Sequence, residues 1–152
     1  MNLLIVFIVW IVFGGIVLIK FKERIIRYFT FLESTPSFLG YLILSIPVIL
    51  LEESLTCETP YLSCITVTLP AFLIMFSILY LIQRSFKLNW SKTSLLFGLL
   101  GWVNEFIFVG RLFHSTFPIF IWVTLGIENI LIYSVMAILP AYYLSKKINL
   151  LP

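Results

Sequence analysis

Charge is scarce in this chain, aspartate is missing altogether, and 152 residues hold one histidine and two cysteines. Each shortage removes a class of protein. Only 11% of residues are charged while 61% are hydrophobic, and mean hydropathy is +1.11. A soluble domain has roughly 25% charged and about 45–50% apolar residues, so this composition belongs to the bilayer. The formal charge of +3 comes from basic residues that flank apolar runs. Such placement speaks of membrane threading rather than nucleic acid. One histidine is a thin basis for a metal centre, and two cysteines fall short of the four ligands of a structural zinc. Neither metal nor cofactor is expected.

What is present is a series of apolar segments, about 2–19, 36–53, 65–83, 93–110 and 118–145. Each is near the roughly 20 residues that a helix needs to cross hydrocarbon. The expected architecture is all-α: a single polytopic integral membrane domain of five transmembrane helices. Lys20, Lys22, Arg24 and Arg27 follow the first apolar run instead of preceding it, so that run is expected to be retained as a span and not cleaved as a signal peptide. Lys20–Glu33 reads as a positively charged stop-transfer flank or, alternatively, as an amphipathic piece lying at the inner interface. Ser34-Thr35-Pro36 reads as a hydroxyl cap with proline at the first helical position. With this threading nine of the ten basic residues fall on one side and Arg111 on the other. The positive-inside rule then puts the N-terminus outside and the C-terminus in the cytoplasm, in a cell membrane.

The outer connection Ser54–Cys64 holds both cysteines. Thiols on that side tend to be oxidised, so a Cys57–Cys64 bridge closing a small turn is the expected reading. A redox-active pair is more often Cys-x-x-Cys, and this spacing favours a structural disulfide.

Polar groups inside the apolar segments are the candidate functional residues, because a glutamate near mid-bilayer costs on the order of 2.5 to 3.5 kcal/mol. The fourth span carries Asn104 and Glu105, and the fifth carries Glu128 and Asn129. Ser94, Gly98 and Gly101 share a helical stripe with Glu105, an arrangement that lets a second helix come close. Glu52 ends the second span on the stripe of Tyr41, Ser45 and Val48 and is expected to face the bundle. Glu53 lies on the stripe of Leu39, Leu42, Ile46 and Ile49 and is not. Arg111 and His114, in the outer turn, complete the set.

Three functions can use these residues. They can hold helices in register in a structural or accessory subunit. They can form a proton or cation site, with Glu105 and Glu128 as the principal groups; five spans are few for a complete carrier, which implies a homo-oligomer or a larger membrane-protein partner. They can also serve hydrolysis, with a glutamate activating water. Asn104-Glu105-Phe106-Ile107-Phe108-Val109-Gly110 resembles the first motif of the CAAX-protease-like intramembrane peptidases, in which two glutamates, two apolar residues, Phe, Arg and Gly follow one another. Glu105, Phe108 and Gly110 match. Asn104 stands at the first glutamate, Val109 at the arginine, and no histidine follows His114, so the resemblance implies a divergent hydrolase.

Overall fold

A backbone surrounded by hydrocarbon can satisfy its N–H and C=O groups only within its own helix or a closed barrel. The chain takes the helical solution. The computed structural model describes residues 7–57, 60–108 and 119–148, and among them there is no strand. Helix α1 (Gly15–Tyr28) is entered through a π-helical stretch, Phe7–Gly14. It is followed by α2 (Ser37–Thr56), α3 (Tyr61–Phe86), α4 (Trp90–Val103), a π-helical continuation of α4 at Asn104–Phe108, and α5 (Ile119–Lys147).

Three helices are long and apolar enough to cross a membrane: Ser37–Thr56, Tyr61–Phe86 and Val123–Lys147. α1 and α4 have 14 residues each, and at about 1.5 Å per residue each is short of a hydrocarbon core of about 30 Å; π-helical stretches of eight and five residues adjoin them.

α5 is the central element, packed along α4, α2 and α1, while α3 lies mainly against α2. Glycine sets the closest crossing. A Cβ at Gly98 would run into Ser134 and the Ile130 carbonyl, and one at Gly101 would run into the Tyr133 ring. The core between the helices is aromatic: Phe76 of α3 stacks on Phe97 of α4 with centroids 4.4 Å apart, and Phe97 meets Tyr133 of α5 at 5.9 Å. Tyr41 of α2 closes the group from the other side of Phe76.

One end of the bundle gathers basic side chains. Lys147 Nζ donates to the Glu33 carbonyl at 2.7 Å, Lys22 Nζ lies 4.6 Å from the Trp90 ring, and Arg84 donates to the Tyr80 hydroxyl at 2.9 Å. Buried Gln83 donates to the Ala141 carbonyl and to Ser145. The turn from α3 to α4 sits here, with Lys87 in the left-handed region and the Asn89 side chain accepting from the Lys92 N–H.

α1 runs unbroken through the basic residues to Tyr28, and Thr30–Glu33 forms a short 3-10 turn, because lysine, arginine and glutamate propagate a helix well. Two local expectations are corrected. Ser34 and Thr35 do not cap α2, since both hydroxyls donate back to the Phe31 carbonyl and Pro36 stands extended before the helix. The cysteine loop is shorter than Ser54–Cys64, because α2 continues to Thr56 and α3 begins at Tyr61.

Candidate functional site at the disulfide end

α2 and α3 form a tight hairpin whose connection is only a few residues long, so the last turn of α2 lies beside the first turn of α3. That geometry brings Cys57 and Cys64 together. Their Cα atoms are 6.3 Å apart and the side chains form a disulfide. Glu53 stands one turn before Cys57 on the same helix face, and its Oε2 lies 2.7 Å from Cys57 Sγ and 3.0 Å from Cys64 Sγ.

Both glutamates at the end of α2 are buried, Glu52 at 6% exposure and Glu53 at 5%. The expectation that only Glu52 turns inward is therefore corrected. Along the Glu53 stripe burial deepens with each turn: Leu39 is exposed, Leu42 and Ile46 are half-buried, and Ile49 is fully buried. α2 packs against both α3 and α5.

A cavity of about 570 Å³ opens between the ends of α2, α3, α4 and α5. Glu52, Glu53, Asn104, Glu105, Asn129 and Tyr133 contribute to its polar wall, and the two cysteines also line it. No lysine, arginine or histidine belongs to its described lining. Glu105 sits in the π-helical turn, a distortion that recurs at functional sites, and its Oε1 accepts from the Tyr133 hydroxyl at 2.8 Å. Absence of a side chain at Gly101 lets the Tyr133 ring pass close to α4 on its way to that carboxylate. Glu52 Oε2 is buried with no protein partner.

The cavity thus gathers Glu52, Asn104, Glu105 and Asn129 from the sequence-predicted set. Glu128 precedes Asn129 but is not part of the lining; it is half-buried, with Oε1 out of reach of any hydrogen-bond partner. Arg111 and His114 lie outside the described residues. No family model, curated protein or solved structure matches the chain.

Sequence reasoning missed Glu53 and Tyr133. The first had a signal, the Glu53 to Cys57 spacing of four, which puts carboxyl and thiol on one helix face. The pairing of Tyr133 with Glu105 had no local signal, because the two are 28 residues apart and meet only through the α4–α5 crossing.

The chemistry open to this site follows from its donors. Carboxylates and side-chain amides supply oxygen ligands for a hard cation, and buried carboxyls can take up and release protons.

Proposed function

We propose that the protein is a multi-pass membrane protein whose acid-lined cavity takes up protons or cations from the outer side, as part of a transport or coupling unit. The observation that carries this reading is the charge of the cavity: Glu52, Glu53 and Glu105 surround it, with no basic residue among its described lining. Buried glutamates in an apolar bundle are otherwise so costly that they are rare outside ion and proton paths.

In this reading the chain crosses a cell membrane five times, the N-terminus outside and the C-terminus in the cytoplasm. Support comes from the basic cluster of Lys22, Arg84 and Lys147 around one end, the cytoplasmic end under the positive-inside rule. The acidic cavity then faces out. A domain this small acts with a second copy or a larger membrane-protein partner. The outer face of α3, with Leu62, Val67, Ile74, Ile78 and Leu81 exposed, meets lipid or that partner.

A second reading, a structural or accessory subunit, is favoured by one contact: Tyr133 already engages Glu105, as polar glue between helices would. Flux separates the two. Protein reconstituted in liposomes is expected to move protons or a cation, and Glu52→Gln and Glu105→Gln are each expected to lower the rate at least tenfold while thermal melting still shows a folded bundle. Wild-type flux in both variants, or no flux with any cation tested, rejects the transport reading in favour of the structural one.

A further inference from the structure

We infer that Cys57–Cys64 is an exchange-active disulfide, with Glu53 as its proton donor and acceptor, opened by small neutral or cationic thiols that the acid-lined cavity admits. The inference rests on the charge of that cavity, as the proposed function does, but not on transport. It departs from the structural role that the cysteine spacing alone suggests.

The contact between Glu53 and the sulfurs carries the argument. Neither disulfide sulfur has a proton to donate, and Glu53 Oε2 lies directly against both, 2.7 Å from Cys57 Sγ and 3.0 Å from Cys64 Sγ. This carboxyl is placed to protonate whichever sulfur is released. Glu52 and Glu105 share the cavity, and in their ionised forms they disfavour a bare thiolate beside them. Access is also in place: both cysteines are half-buried, not sealed, and both line the cavity, as exchange requires.

The step balances with a small thiol as co-reactant. A thiolate attacks one sulfur, the Cys57–Cys64 bond breaks, a mixed disulfide forms, and the released cysteine sulfur takes the Glu53 proton. A second thiolate attacks the outer sulfur of the mixed disulfide and leaves as the small-molecule disulfide. The second cysteine sulfur is protonated after Glu53 regains a proton from water. Two small thiols are oxidised and one protein disulfide is reduced; in reverse, Glu53 accepts the proton of the attacking cysteine.

The test uses the full chain in lipid nanodiscs. Cysteamine, 2-mercaptoethanol and 3-mercaptopropionate are compared at equal thiolate concentration, and newly freed cysteines are trapped with a maleimide mass tag; Cys57 and Cys64 are the only two in the chain. Cationic cysteamine is expected to open the bond at least tenfold faster than anionic mercaptopropionate, beyond the ratio for an unstructured peptide of the same Cys-x6-Cys spacing. Glu53→Gln is expected to slow all three by about a hundredfold, in the range of general acid–base contributions, and Glu53→Asp to recover part of the rate. No opening by any thiol, or an unchanged rate in Glu53→Gln, overturns the inference while leaving the cavity reading intact. Peptide-like ratios among the three thiols, together with flux insensitive to Glu52→Gln, overturn the acid-lined cavity on which both rest.

Discussion

The two ends of the bundle hold their polar groups by opposite means. At the end where α5 finishes, Lys147 reaches the carbonyls of Leu32 and Glu33, Lys22 rests over Trp90, and Gln83 is bonded to α5. At the other end three glutamates and a disulfide border a cavity, and Glu52 Oε2 has no protein partner. The difference is one of reach. Lysine and arginine carry their charge on long stems that snorkel to the boundary and find the free carbonyls of helix ends. A glutamate is short and stays where its helix leaves it, so burial must be met by a neighbour or by something that enters. Polar contacts at the first end tie helices together; at the second they surround a space in which chemistry can occur.

Four changes would break or sharpen this contrast. Gly101→Leu has the largest effect, because the added side chain meets the Tyr133 ring at the closest helix crossing. Overpacking of this kind should cost about 3 kcal/mol, read as a fall in the denaturation midpoint in detergent, and should abolish flux as Glu105 loses its neighbour. Next is the double substitution Cys57→Ser with Cys64→Ser. Freeing a loop this small should cost about 2 kcal/mol, seen as a lower melting temperature that matches wild-type protein treated with reductant.

Tyr133→Phe removes the hydroxyl that donates to Glu105, a loss of about 1 kcal/mol. Its value is in flux: a change in rate out of proportion to that loss shows that Glu105 is tuned and not merely tied. Lys147→Ala, at the opposite end, should shift stability by no more than about 0.5 kcal/mol, since the side chain is exposed, and should leave flux and thiol exchange at wild-type rates. An effect of Lys147→Ala on either activity would erase the division of labour between the ends.

Much of the fold was legible because its causes are local. Hydropathy runs marked every helix, although propensity carried α1 eight residues or so beyond its apolar stretch, through Lys20, Lys22, Arg24 and Arg27. Small residues at Gly98 and Gly101 announced a close crossing, and α5 takes that place. Less of the site was legible. Helical periodicity separates Glu52 from Glu53 by about 100° and so assigns one inward and one outward, yet both are buried. Periodicity assumes one covered stripe, and at the end of α2 two adjacent residues on different stripes are both covered.

By itself, then, the sequence determined a bilayer environment, an all-helical chain and a concentration of basic residues away from the cysteine turn, since each depends on residue chemistry summed along a local stretch. Only the tertiary structure decided that Glu53 touches both sulfurs, that Tyr133 bonds Glu105, and that Glu52, Asn104 and Asn129 share one cavity with them. Those pairings depend on how closely four helix ends approach. That distance is set by glycines and aromatic rings packing across the bundle, and no single helix carries it in its own pattern.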